Sequence, residues 1–375
     1  MQQQVSIWNV VKLAGAYIAF TIGSGFATGQ EVLQFFTSYG PAGYIGALVS
    51  MFLFAAMGAA LMVKGHELKL TVQTEIFRYY CGKYIGYILE IFTIICLFCV
   101  VSIMFAGSGA VAGEYFGVGA EIGKLGMAIL CVMTVLLGLN GLVDIIGAIG
   151  PVITVFTILI GIVTAVTSTY YGNDLTGAQV QALFDLRATA GWWFGAYEWL
   201  DTAWFSGVLY AACMVLGGIP FLAGLGTRAR NRQEAIWGGV MGGVFLMLSV
   251  IMIVFAMLCY PDQIVTYEVP NLFLAEQHLP ILAMIFSVVL LLGIYSTAAP
   301  MFWLVLNRIQ GFGLGRTPML LAVTVVLGIV AYFGAQIGFG KLIGILYPLM
   351  GQVGLIMIPV VFLYAGARKT ELMKE

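Results

Sequence analysis

"TIGSGF", residues 21–26, stands inside the first long apolar run of the chain, where a helix crossing lipid is expected to carry Leu and Ala rather than two glycines around a serine. A Gly-Ser-Gly interruption frees backbone N–H and C=O groups, each costing several kcal/mol in hydrocarbon unless protein, water or a ligand satisfies it. A half-helix starting near Gly25 aims N–H groups and the positive end of its dipole at the gap, which suits a carboxylate. Carbonyls freed before the break suit a cation. The competing explanation is a glycine contact that lets two helices approach closely, and in a chain with 48 glycines one break does not decide between them.

Composition sets the environment of that break. Hydrophobic residues make up 61% of the 375 positions and charged ones 9%, with mean hydropathy +1.02; in soluble domains about a quarter of residues are charged. This is an integral membrane protein whose first partner is the lipid bilayer. Its apolar runs match the roughly 20 residues that a helix needs to cross hydrocarbon. They are apolar on every face, unlike the alternating strands of a transmembrane barrel. The polar start "MQQQVSIWN" precedes a run too long for a signal-peptide core, so the first helix is expected to be retained. The six cysteines fall mostly in apolar runs; "CLFC" at 96–99 has the spacing of a metal pair but no second pair or histidine beside it. No nucleic acid partner and no cofactor is expected.

The pattern predicts about ten spans, at 9–38, 41–63, 84–112, 122–139, 143–170, 202–225, 235–260, 279–307, 318–335 and 341–366, with 172–201 as the longest connection and "GWWFGAYEWL" in it suited to a membrane interface. One side collects Lys64, Lys69, Arg78, Lys83, Arg228, Arg230, Arg232, Arg308, Arg316, Arg368, Lys369 and Lys374, with Lys12 near the start of span one; the other keeps Lys124, Arg187 and Lys341. Both termini are therefore expected in the cytoplasm, with the chain in the cell (inner or plasma) membrane.

Five spans per half give the halves opposite topologies, so residues 1–171 and 202–375 were compared. Spans one and six both carry glycines near mid-membrane, "IGSG" at 22–25 and "LGGIP" at 216–220. Spans three and eight are both long, and each follows a connection with a short amphipathic stretch. Inverted repeats with paired interrupted helices point to the binding site of a secondary transporter. The expected fold is an all-α membrane protein of two inverted five-helix repeats with spans one and six broken.

This pattern resembles the LeuT fold of the amino acid, polyamine and organocation transporter superfamily along essentially the whole chain. More narrowly, "GAYIAFTIGSGFATGQEVLQFF" followed by "YGPAGYIGAL" resembles the bacterial YkvI-like membrane proteins, grouped with amino acid permeases. The resemblance implies a small-molecule substrate at the breaks, lined by Ile22, Gly23, Ser24, Gly25 and Phe26 of span one and by Tyr210, Cys213, Met214, Gly217 and Gly218 of span six. It also implies sodium between spans one and eight, held by carbonyls of Ala19, Ile22 and Gly293 and by the hydroxyls of Ser296 and Thr297. The other reading of that Ser-Thr pair is bonding back to carbonyls of its own helix. Proton-coupled relatives carry a lysine in span five; here that span has none, and its one acid, Asp144, sits at the cytoplasmic end, which tilts the expectation to sodium over protons.

Acids inside spans are functional hypotheses by default. Glu31, just past the break, meets a substrate amine, carries a proton, or lines a wet entrance with Gln30 and Gln34. Glu90 is expected to pair with Lys12 as an inner gate or to stay solvated. The small, soft lining of span six fits a neutral amino acid or related zwitterionic amine. Against an enzyme stands the lack of HExxH, of paired mid-membrane aspartates and of a Ser/His combination; a channel or a non-transporting receptor on the same scaffold remains the rival class. Oligomeric state is open.

Overall fold

The computed structural model describes residues 5–69, 75–137, 142–168, 175–187, 201–278, 280–310 and 318–365; of Ser24, Glu75, Leu137, residues 142–151 (Asp144 among them), Leu282, Asn307, Arg308, Gln310, Pro318 and Ala365 it describes the backbone alone. The "GWWFGAYEWL" stretch, Arg316 and the basic C-terminal residues lie outside these. Every regular element among the described residues is helical. Seven helices are long and apolar enough to cross a membrane, and Ile7–Thr21 and Val152–Thr167 are shorter apolar helices. With Ala120–Leu137 these account for the ten expected spans.

Span one is three pieces: Ile7–Thr21, Ser24–Thr28 and Gln30–Phe35. The first break is at Ile22 and Gly23, where Gly23 is extended (φ −85°, ψ −174°). The second is at Gly29, whose φ of +90° lies in the left-handed region that glycine adopts without the steric cost of a Cβ. Span two is Gly43–Leu68, and span three, Glu75–Glu114, bends at left-handed Gly82, so a short amphipathic helix leads into it. Spans four and five are Ala120–Leu137 and Leu142–Thr167. A short helix, Gly177–Asp185, occupies the long connection, closed by a reciprocal Thr176–Gln179 cap. Span seven is Arg232–Leu258, the short helix Pro270–His278 precedes span eight at Pro280–Gln310, and spans nine and ten are Pro318–Gly334 and Phe339–Ala365.

Span six departs from expectation. Residues Ala203–Thr227 form one continuous α-helix through Gly217, Gly218 and Pro220. The glycines lower helix propensity without removing a hydrogen bond. Pro220 removes one N–H bond, to the carbonyl four residues back, and that single loss leaves the ladder intact on either side. This helix is also the most enclosed of the spans, with Leu209, Tyr210, Ala211, Ala212, Leu216 and Ile219 buried.

The helices pack in two groups. Spans one, two, six and seven form a bundle in which spans two and six, and spans two and seven, share the longest seams. Those seams are lined by glycine: a Cβ on Gly65 or Gly226 would collide with the backbone of Ala223 or Met62 across the contact, and one on Gly239 with the backbone of Ala59. Backbones so close gain dispersion over long stretches, the driving force left to helices in lipid. Spans three, four, eight and nine form the second group, and span ten lies against spans six and three.

Buried Glu234 ties one face of the molecule together. It accepts from the Ser6 N–H (2.9 Å), the Asn9 amide (2.5 Å) and the Arg230 N–H (3.0 Å), fastening the start of span one to the turn between spans six and seven. His66 bonds the Ala229 carbonyl there at 2.9 Å, and Arg232 lies 3.8 Å from Glu67. On the opposite face Glu121 accepts from Tyr332 and Gln336, both at 2.8 Å, joining span four to span nine.

Candidate functional site

The site is built by the break. The Ile22 N–H still bonds Ile18 at 2.9 Å, but the Gly23 N–H turns back to Thr21 (2.9 Å), and the next helix begins with Ala27 donating to Gly23 (3.1 Å). The carbonyls of Ala19, Phe20 and Ile22 and the N–H groups of Ser24, Gly25 and Phe26 thereby leave the helical ladder. Of these, the Ala19 and Ile22 carbonyls and the three N–H groups are ones that the sequence singled out; the Phe20 carbonyl was not among them.

Glu31 lies fully buried next to them. Its Oε2 accepts from the Tyr210 hydroxyl of span six at 3.0 Å. The carboxyl group packs so tightly on Gly25 that a Cβ there would overlap it. The Tyr347 hydroxyl of span ten and the Phe26 N–H also face the carboxyl group, yet Oε1 is buried without a well-formed hydrogen bond. Among the described residues no cation forms an ion pair with Glu31. The chain's own carboxyl group thus reaches the N–H-lined end of the short helix, where a substrate carboxylate was expected.

Two further contacts hold this piece. The Asn271 amide, from the short helix before span eight, donates to the carbonyls of Phe26 (3.2 Å) and Ala27 (3.0 Å), satisfying the short helix at its C-terminal end. Gln34 donates to the Gly340 carbonyl at 2.8 Å, pinning the last piece of span one to the start of span ten. Gln30 and Gln34 are buried, so they pack rather than line a wet entrance.

Below the break the walls are looser. A Cβ at Gly23 or at Gly217 would meet nothing within 4 Å, so both glycines border open space. Met214 and Gly217 are partly exposed, while Cys213 and Gly218 are buried. Phe20 stacks on Phe221 with ring centroids 4.0 Å apart and planes at 11°, and it lies 3.5 Å from where a Gly218 Cβ would stand. Spans one and six therefore meet beside the first break, through Phe20, Gly218 and Phe221.

At the expected sodium position, Ser296 donates to the Gly293 carbonyl at 2.8 Å and Thr297 to the same carbonyl at 3.1 Å. Both hydroxyls bond back to their own helix, leaving their oxygen lone pairs as the available donors to a cation. Span eight packs on Ser24–Thr28, so it reaches span one just past the break. The inner-gate pairing is different from the expected one: Glu90 is paired with Arg78 at 3.5 Å, and Lys12 lies 5.6 Å over the Trp8 ring. Arg78 reaches Glu90 because the Gly82 bend folds the amphipathic helix back along span three.

Sequence reasoning missed Tyr347, Asn271 and the Phe20–Phe221 stack. Tyr347 sits in an apolar run and Asn271 at a helix start, and nothing local marks the first as a neighbour of Glu31 or the second as a cap on Ser24–Thr28.

The arrangement is a LeuT-like fold. Among solved structures, the chain superposes on the manganese transporter of Eremococcus coleocola, in a mutant form with TM-score 0.54 at 13% identity and in complex with an aromatic bis-isothiourea compound with TM-score 0.54 at 15% identity, covering 97% of this chain and 80% of that one in both. In sequence it is similar to the uncharacterized membrane protein YkvI of Bacillus subtilis (strain 168), 26% identical over 382 residues that span 96% of this chain and 97% of that protein. No family model matches the chain.

Proposed function

We propose that the chain is a secondary active transporter, moving a small neutral amino acid or related zwitterionic amine across the cell membrane by alternating access, with sodium as coupling ion. The observation that carries this reading is the doubly bent first span, whose freed N–H groups and carbonyls lie among buried Ile22, Phe26 and Glu31 beside the open space at Gly23 and Gly217. Opposite charges on one small solute match that pair of dipole ends. The solved neighbours are transporters of the same fold, which supports transport over an enzymatic role. The metal named for that neighbour is not carried over, because among the described residues no three His, Cys, Asp or Glu side chains gather to hold one.

Sodium is assigned to the interface of spans one and eight, with Ser296 and Thr297 as hydroxyl ligands and the Ala19 and Ile22 carbonyls opposite. An ion shared by both packing groups ties them in one conformation and raises substrate affinity, and the substrate must raise sodium affinity equally. The face carrying Lys64, Arg228, Arg230 and Arg232 is assigned to the cytoplasm. The test is uptake of glycine, alanine and serine into proteoliposomes under a sodium gradient. Saturable, sodium-driven accumulation supports the reading; unsaturable flux that follows only the solute's own gradient identifies a channel instead.

A further inference from the structure

We propose that Glu31 is a proton-binding site, giving the transporter a second coupling ion whose binding is linked to the substrate's carboxylate. The proposal rests on the transport reading above and goes beyond it in naming the proton site. An ionised carboxylate with no water and no cation is among the most expensive groups to bury. Glu31 is fully buried, one of its oxygens is without a well-formed hydrogen bond, and none of the described ion pairs includes it. The packing of Gly25 against the carboxyl group leaves no room on that side for a metal ion. A proton is the one cation that needs no cavity, and it is placed on Oε1.

The polar and titratable groups facing Glu31 come from spans one, six and ten, with span three behind them. Span six contributes Tyr210 and Cys213, span ten contributes Tyr347, span one contributes the Phe26 N–H, and Cys96 of span three stands behind Cys213. All are neutral in the folded protein at ordinary pH, so none supplies the missing positive charge. A substrate carboxylate arriving at the N–H groups of Ser24 and Gly25 would stand beside Glu31. Two carboxylates sharing one set of donors do not both stay ionised, so substrate and proton favour each other's binding. By linkage the effect is reciprocal. Because Glu31 sits on the piece of span one that Gln34 fastens to span ten, opening that contact exposes the carboxyl group and lets the proton leave or enter.

The test has one arm that needs no substrate. Purified wild-type protein in liposomes at pH 6 is expected to show the infrared carbonyl band of a protonated carboxylic acid, and Glu31→Gln, which keeps the size of the side chain, to lack that contribution. The second arm measures uptake of labelled glycine, alanine and serine under sodium and pH gradients applied separately. Wild-type uptake should respond to both; Glu31→Gln should lose the response to the pH gradient while keeping the response to sodium, and Tyr210→Phe should displace the pH profile without abolishing it. If Glu31→Gln fails to fold, the band and the pH profile in Tyr210→Phe decide. An identical band in wild type and Glu31→Gln, or pH-driven uptake that survives in Glu31→Gln, overturns the proton site and leaves the transport reading standing. A Glu31-dependent band with no uptake of any probe does the reverse.

Discussion

Spans one and six carry similar glycine pairs, yet one is broken twice and the other runs unbroken from Ala203 to Thr227. Glycine permits a break; it does not impose one. What separates the spans is whether other groups take over the polar atoms that a break releases. In span one, Asn271 caps the carbonyls of Phe26 and Ala27, and Glu31 folds back to the N–H end of the same short helix. In span six, among the described residues, no side chain caps the backbone beside Gly217, whose Cβ position faces open space. Leaving its backbone groups unpaired would cost more than the helix gains by bending, so the ladder stays closed.

Substitutions probe that contrast, beginning with the largest effect. Gly25→Leu forces a side chain into the Glu31 carboxyl group, and overpacking of this kind costs about 1–3 kcal/mol or more. We expect a sharply lowered melting temperature in detergent and no uptake; wild-type uptake by folded Gly25→Leu protein would break the account of the site. Asn271→Ala removes both cap bonds; the Phe26 carbonyl keeps the Gly29 N–H, and the buried Ala27 carbonyl loses its side-chain partner, at about 1–3 kcal/mol. Hydrogen exchange at residues 24–28 should rise while spans two and seven stay protected. Unchanged exchange would mean that the break does not depend on its cap.

Ser296→Ala and Thr297→Ala each remove a back-bond to Gly293, a loss of about 1 kcal/mol. Stability should fall slightly, while the sodium concentration needed for half-maximal uptake rises several-fold. Equal sodium dependence in wild type and the double variant would remove span eight from the ion site. The smallest effect is expected from Gly217→Ala. In a continuous helix with free space at the Cβ, alanine stabilises by up to about 1 kcal/mol. A clear loss of stability there would show that span six bends as span one does.

Membrane class, helix count and the place of the first break followed from local properties. Hydropathy acts residue by residue, and "IGSG" marks a place where a lipid-length apolar run can be interrupted. The broken state of span one and the continuity of span six were not separable by that signal, since glycine content is a propensity and the outcome depends on distant partners. The position of Glu31 shows the same limit. Its sequence placement marked it as an intramembrane acid, but its neighbours Tyr210 and Tyr347 lie 179 and 316 residues further along the chain.

By itself, then, the sequence determined a multi-span helical membrane protein with a polar interruption in its first span, because lipid demands internal satisfaction of every backbone group and the glycines show where that demand fails. Only the tertiary structure decided who answers it. Asn271 arrives from a helix outside the spans, Glu31 folds back within span one, and Tyr210 comes from the helix that stayed whole. Those contacts depend on how the bundle seams and span ten bring remote residues together, and no local pattern encodes that distance.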